Sequence, residues 1–549
     1  MQPRTLAELL VDRSEQQPNA LYVRFLDRGR EPLCLTYADT LRLATSWATI
    51  FIDAGLEQGK AVALCLPTCE DFVGAFFGAL LAGAIPTAQD SLRSPNQDLG
   101  RLTKNMSFTG ARHLVVPPKF ESINGRLDAK ILTRNNLCSS EESISPPIDG
   151  TTIAINQFTS GTSGRPKVVQ LSHAAVLSQL QGIAIKLELD EEGDSAVSWL
   201  PLSHDMGLIG FLLAPALVRR HVSLIPTEDF VAAPLMWIKA LSDYRATITG
   251  GPPSAYALCG RFARQADVDG IDLSALRIAL VGAEQISRDS LEIFSRRFAG
   301  NGLDPRALMP TYGLAENCLA VTMPVVDEPP RFDRIDLNSM RSERRAEPAE
   351  PGRPSRSFAC VGTVLPNVEV RIVDEHGGVL AERRIGEIVI RGSSLMSGYA
   401  GQAEPLETTD REDWLATGDL GYLNEGELFV TGRKKELIIV GGRNFHPEDL
   451  ETAACTVRGV RSGRVVAFSI NDAELSTERV IVAVESGLEN PEDRVALRQQ
   501  VTEALVTARL PIDRVLLLAR RSIRRTGTGK TMRIDCRNRY LEGRLVELV

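Results

Sequence analysis

The chain has 549 residues, 43% of them hydrophobic and 24% charged, with 62 basic and 70 acidic residues giving a net charge of −8. This is an ordinary globular balance, long enough for about three or four domain-sized units. Its mixed, slightly acidic charge argues against nucleic acid or an anionic membrane as the main partner. The nine cysteines are scattered without a C-x-x-C pair. Neither a zinc site nor a disulfide framework is signalled, and a reducing cytoplasm is the expected setting.

In chain order, the N-terminal MQPRTLAELLVDRSEQQP is amphipathic and has no apolar core region, so it does not read as a secretory signal. Ala61 to Cys65 reads as a buried strand. Phe72 to Ala88, the longest greasy stretch, is rich in Gly and Ala and falls short of a spanning helix. It reads as one buried helix packed closely on a sheet, and no membrane span is expected. Strands are predicted at His113 to Val116, Ile153 to Gln157, Val222 to Ile225, Ala246 to Ile248 and Arg277 to Val281. Ala174 to Ile185 and Arg288 to Phe298 carry apolar residues three and four apart, as helices do. The alternation predicts α/β architecture with largely parallel sheets. Asn338 to Ser355 is charged, Pro-rich and aperiodic, and reads as a loop or insertion outside the core. From Val368 to Val430 the rhythm changes to period two with hairpin signals, predicting a β-rich subdomain over about 362–433. An α+β unit over 434–549 follows the large unit of 1–433.

The most informative string is Thr159 to Val168, TSGTSGRPKV. Hydroxyls and exposed backbone N–H groups in such a loop suit anionic oxygens, and Lys167 adds a point charge. The spacing is not that of a P-loop, because Gly161 and Gly164 are too close and Pro166-Lys167 leads into Val-Val. Further along stand Tyr312-Gly313-Leu314-Ala315-Glu316, Thr417-Gly418-Asp419, Gly432-Arg433-Lys434-Lys435-Glu436 and Thr526-Gly527-Thr528-Gly529-Lys530. In this order and spacing the strings resemble the adenylate-forming superfamily of acyl-CoA synthetases, adenylation domains and luciferases, over nearly the whole chain. TYADTLRLA, SWLPLSHDMGLIG, GGPPSAYALC, ALVGAEQIS, MPTYGLAEN and GRNFHPEDLE resemble, more narrowly, the fatty acyl-AMP ligases, which load acids onto acyl carrier proteins.

The resemblance implies attack of a carboxylate on the α-phosphate of ATP, release of pyrophosphate, and transfer of the acyl group to a phosphopantetheine thiol. It implies a large α/β domain with a β-rich subdomain and a small mobile C-terminal domain. Thr159, Ser160, Gly161, Thr162, Ser163, Gly164 and Lys167 would hold the β and γ phosphates, and Glu316 would carry Mg²⁺. Lys530 would stabilise charge at the α-phosphate. Asp419 suits a ribose diol, Arg433 would add a ribose contact, and Tyr312 offers a face for adenine. Gly282, Ala283, Glu284, Thr311, Gly313 and Leu314 complete the expected nucleotide site, at strand ends where ligands gather in open α/β sheets. His204, Asp205, Met206, Gly250, Gly251, Pro252 and Tyr256 are expected around an acyl pocket. Lys435 matches the hinge position. In the fatty acyl-AMP ligases an insertion restrains the C-terminal domain. Here Glu316 and Gly362 are 46 positions apart, and Asn338 to Ser355 falls between them. The alternatives left open are an acyl-CoA synthetase using free CoA and, from another class, a non-catalytic nucleotide-binding sensor.

Overall fold

The computed structural model describes residues 3–92, 94–136, 149–159, 167–189, 193–401, 408–409, 414–440, 443–461, 463–472, 477–525 and 531–548. A seven-stranded sheet runs in the order Leu308–Pro310, Ile278–Val281, Ile248–Gly251, Ala196–Ser198, Val222–Leu224, Leu21–Phe25 and Leu33–Thr36. All of its pairings are parallel except the last. A second sheet, Ile85–Ala88, Ala61–Leu64, His113–Val115 and Lys130–Leu132, is entirely parallel. Parallel strands covered on both faces read as continuous apolar runs, which is why the α/β expectation held.

The stretch from Phe72 to Ala88 departs from the expectation of one helix. Its helix, Glu70–Leu81, stops before Gly83, which adopts φ +72°, and Ile85–Ala88 continues as a strand. An apolar run does not distinguish buried helix from buried strand, and the left-handed glycine makes the break. The close packing is real: the helix packs on the strands Ala61–Leu64 and Ile85–Ala88 and, most closely, on the helix Tyr37–Asp53, where a Cβ on Gly78 would lie 2.7 Å from the Ala44 carbonyl oxygen. That partner helix starts on a capping box in which Thr36 and Asp39 satisfy each other's backbone N–H groups.

A small antiparallel sheet, Ile153–Phe158, Val168–Ser172 and Gly398–Tyr399, packs against the Ile85–Ala88 strand of the second sheet. It brings the ends of the Ser/Thr/Gly loop beside a strand more than two hundred residues downstream. The β-rich part is a five-stranded antiparallel sheet built on Val368–Val373, Gly386–Gly392, Trp414–Asn424 and Glu427–Arg433. The last stretch carries Val465–Asp472, Thr477–Ser486 and Arg514–Ala519 as a sheet with its own apolar core.

The aperiodic insertion is partly ordered and partly buried. Asp336 caps a short helix, Leu337–Glu343, by accepting from the backbone N–H groups of Asn338 and Ser339, and Met340 and Arg341 are buried. Two turns are too few to show a period, and the cap lies just outside the polar window. The buried Arg341 guanidinium reaches Asp449 Oδ2 at 3.1 Å, and Arg356 reaches Asp449 Oδ1 at 2.7 Å. Asp449 belongs to the helix Pro447–Cys455 of the terminal unit, so the basic residues of the insertion region meet acidic ones across the seam.

Candidate active site

The carboxyl ends of two adjacent parallel strands, Ile278–Val281 and Leu308–Pro310, form the floor of the site. Gly282 to Glu284 and Thr311 to Leu314 follow directly and lie side by side, with the Thr311 N–H donating to the Val281 carbonyl at 2.8 Å. Ala283 is exposed with φ +66°, a conformation costly for a residue with a Cβ. Gly282 is needed for contact: a Cβ there would come within 2.9 Å of Thr311 Oγ1.

Asp419 is buried against this floor. Its Oδ2 accepts from the Tyr312 hydroxyl at 2.8 Å, its Oδ1 faces Arg433 Nε at 3.0 Å, and its own N–H donates to Thr417 Oγ1. Antiparallel pairing of the strands around it places Asp419 directly opposite Arg433. Each carboxylate oxygen has two acceptor sites, so one per oxygen remains for a ribose diol. Burial, with Asp419 adding to it, pushes the Tyr312 hydroxyl well above the ordinary phenol range, so it remains a donor.

Glu316 lies in a single 3₁₀ turn beyond Tyr312, and its Oε1 accepts from the Tyr399 hydroxyl at 2.8 Å. Lys167 Nζ stands 4.3 Å from the centroid of the same tyrosine ring. Thr159 N–H donates to the Lys167 carbonyl at 2.9 Å, closing the base of the loop. Ser160, Gly161, Thr162, Ser163 and Gly164 lie outside the described residues, as does Lys530. The residues flanking Thr526 to Lys530 are described: Arg525 and Thr531 form an antiparallel bridge. Burial and Arg464 push the Arg525 guanidinium below its ordinary range, while Glu284 opposes the shift. Arg525 therefore stands within electrostatic reach of the nucleotide floor. Lys435 is exposed in a 3₁₀ turn, Lys434–Glu436, that joins the β-rich sheet to the terminal unit.

An apolar cavity opens behind this floor. Its walls include Ile183, Leu187 and Leu189 on one side, Met206, Gly210, Phe211, Ala214 and Val218 on another, and Ile248, Leu280, Leu319 and Met323. Asp194 lies at one edge, already paired with Arg277 at 2.5 Å and accepting from Thr247 Oγ1 at 2.8 Å. Met206 to Leu213 is wound as a π-helix, whose wider turns recur at functional sites. Of the residues expected around an acyl pocket, Met206 lines the cavity. His204 and Asp205 precede the π-helix and accept from the Met206 N–H, at 3.3 and 2.7 Å, so they orient the wall from its end. Gly250 lets the Phe211 ring lie against its strand: a Cβ would meet that ring at 3.0 Å. Gly251 faces Trp199 and Trp237, and Pro252 caps the helix Pro253–Phe262. Tyr256 is fully buried in the aromatic core between Trp237 and Phe294, its hydroxyl bonded to the Leu280 carbonyl at 3.0 Å. Tyr256 is thus placed behind the wall. The continuous apolar run GLIGFLL is the signal in the sequence for the wall. Nothing in local spacing pointed to Tyr399.

A family model described as AMP-binding enzyme matches residues 10–400. The chain belongs to this family. It is 31% identical to the long-chain-fatty-acid–AMP ligase FadD32 of Mycolicibacterium smegmatis, over 96% of this chain and 92% of that protein. It is 33% identical to a Caulobacter vibrioides protein provisionally named an acyl-CoA synthetase, over 94% of this chain and 92% of that one. A solved structure from work on fatty acyl-adenylate ligases of E. coli and L. pneumophila superposes with a TM-score of 0.90 at 31% identity, covering 98% of both chains. The architecture is that of the adenylate-forming superfamily.

The described residues suit the family's ligands. Asp419 retains free acceptor sites beside the protonated Tyr312 hydroxyl, which fits a ribose diol. Glu316 offers a hard carboxylate oxygen of the kind that magnesium takes. Among the described residues there is no cluster of three or more His, Cys, Asp or Glu side chains that could hold a metal ion. No helix among the described residues is long and apolar enough to cross a membrane.

Proposed function

We propose that this chain activates a long-chain aliphatic carboxylic acid as its acyl-adenylate, consuming ATP and releasing pyrophosphate, and passes the acyl group to the phosphopantetheine thiol of an acyl carrier protein. The observation that carries the substrate class is the apolar cavity behind the nucleotide floor, whose one buried carboxylate is neutralised by Arg277. An alkyl chain loses no hydrogen bonds on entering such walls, whereas a charged or hydroxylated tail would leave polar groups unpaired.

The acid is ionised near neutral pH, so the first step needs no general base. The contribution of the protein is alignment and electrostatics. Asp419, Arg433 and Tyr312 hold the nucleoside, while Thr159 to Gly164 and Lys167 hold the β and γ phosphates. Magnesium, bound through Glu316, would neutralise phosphate charge as the α-phosphate is attacked. Lys530 would donate to the α-phosphate and bridging oxygen, carried in from the terminal unit.

Rotation about Lys435 would then withdraw Lys530 and admit the thiol. The ion pairs of Arg341 and Arg356 with Asp449 oppose that rotation. A carrier protein offers contact surface to offset their loss and free CoA offers little, so acceptor choice becomes a difference between two conformations. The test is pyrophosphate release across carboxylic acids of graded length, repeated with free CoA and with phosphopantetheinylated carrier protein. Long-chain acids are expected to release pyrophosphate and to appear as thioesters on the carrier protein alone. Acyl-CoA formed at the rate of adenylation would promote the synthetase reading, and nucleotide binding without pyrophosphate release would promote the sensor.

A further inference from the structure

Tyr399 belongs to none of the recognised strings, yet it stands between two groups of opposite charge. Its hydroxyl donates to Glu316 Oε1 at 2.8 Å, and its ring lies under the Lys167 ammonium at 4.3 Å. The short strand Gly398–Tyr399 pairs with Val168–Ser172, with Tyr399 opposite Val169. The backbone that carries Lys167 therefore also fixes the tyrosine. The Met396 N–H donates to the Glu316 carbonyl at 2.8 Å, so the segment leading to Tyr399 is tied to the Glu316 turn as well.

Among the described residues, no carboxylate lies within ion-pairing distance of Lys167. Without the intervening ring, a flexible ammonium and a carboxylate on facing elements would attract and neutralise each other. Each would then enter the reaction already paired, the lysine unavailable to phosphate and the glutamate unavailable to a cation. A ring between them changes this in two ways. Its face holds the ammonium by a cation–π contact that phosphate can displace, and its hydroxyl occupies one glutamate oxygen and leaves the other free.

We propose that Tyr399 is a positioning residue that keeps Lys167 and Glu316 apart and orients each toward its own ligand, the lysine toward pyrophosphate oxygens and the carboxylate toward a divalent cation. The proposal rests on the roles given to those two residues in the functional reading above.

The experiment measures two binding equilibria on the intact protein by calorimetry: α,β-methylene-ATP as a function of MgCl₂ concentration, and inorganic pyrophosphate alone. Tyr399→Phe keeps the ring and removes the hydroxyl. It is expected to raise the Mg²⁺ concentration for half-maximal analogue binding about tenfold, the scale of one hydrogen bond to a charged group, with pyrophosphate binding within twofold of wild type. Tyr399→Ala is expected to raise the Mg²⁺ requirement as much or more and also to weaken pyrophosphate about tenfold, as Lys167 turns to Glu316. Adding Glu316→Gln to Tyr399→Ala is expected to restore pyrophosphate binding, a rescue that a purely structural tyrosine would not show. Glu316→Gln alone separates the two levels. An unchanged Mg²⁺ requirement there refutes the metal role of Glu316, and with it this proposal. A raised requirement in Glu316→Gln with none in Tyr399→Phe overturns the proposal and leaves the functional reading standing. Should Tyr399→Ala fail to fold, Tyr399→Phe decides.

Discussion

The apolar cavity and the seam with the terminal unit are both interior surfaces, but they are built from opposite materials. The cavity is lined mainly by Leu, Ile, Phe and Met side chains from elements of one large core, with Asp194, Ser195, Arg220 and His221 as its polar lining. The seam is closed by charge: Arg341 and Arg356 on Asp449, with Arg533 on Glu436, Glu448 and Glu451 just behind. An apolar wall cannot open without exposing surface that water does not repay. An arginine–carboxylate pair can exchange its partner for water at modest net cost when it is drawn apart whole. A rigid pocket beside a seam that can be remade is what an enzyme with two successive half-reactions requires.

Breaking the seam from one side should give the largest effect. Asp449→Ala leaves Arg341 buried without its carboxylate, and removing one partner of such a pair costs about 3–5 kcal/mol. The expected outcome is an earlier melting step of the terminal unit by calorimetry and a rise in acyl-CoA formed from free CoA, with adenylation largely preserved. No change in either would show that the seam does not restrain the unit.

Lys530→Ala tests whether chemistry crosses the seam. Acyl-adenylate formation is expected to fall roughly 10²- to 10³-fold, the range for removing one donor to developing transition-state charge. Melting temperature and the acid-length profile should stay as in wild type. Near-normal pyrophosphate release would remove Lys530 from the reaction.

The cavity is challenged by filling it. Gly210 lines the wall, and a Cβ there already meets Leu319 Cδ2 at 3.2 Å. Gly210→Phe is expected to lower adenylation of long-chain acids roughly 10- to 10²-fold through overpacking, while short acids are nearly unaffected. Equal loss for all lengths would mean that the acyl chain lies elsewhere.

The smallest effect concerns acidity at the seam. Burial, with Arg356 adding to it, pushes the His446 imidazole down from 6.5 to about 4; Glu448 and Asp449 oppose this and Arg341 assists it. In the window from pH 6.5 to about 4 the unfolded chain binds the proton and the folded one does not. Stability is therefore present above 6.5 and declines as pH falls through that window. By about pH 5.5 the loss is about 1.4 kcal/mol. Glu448 does not add to it there: burial raises its carboxyl, but Arg533 and Arg356 together outweigh burial and hold it at about 2, so its contribution is lost only below the ordinary range for glutamate. His446→Gln should flatten the decline in unfolding free energy between pH 6.5 and 5.5, and an unchanged slope would assign it to another group.

The sequence by itself determined the architecture and named the residues proposed for the nucleotide site. Parallel strands announce themselves as apolar runs, helices such as Arg288–Phe298 by their period, and Tyr312 and Glu316 stand in a string inside the family match, with Asp419 and Arg433 in strings beyond it. Local spacing cannot convey pairings between distant segments. Tyr399 matters because its strand pairs with the one that begins at Val168, and Tyr256 is core because Trp237 and Phe294 fold around it. The insertion reads as polar loop because its apolar contacts are few. Only the tertiary structure reveals that its Arg341 is buried against Asp449, with Arg356 beside it, since a charge is placed by its partner and not by its neighbours in the chain.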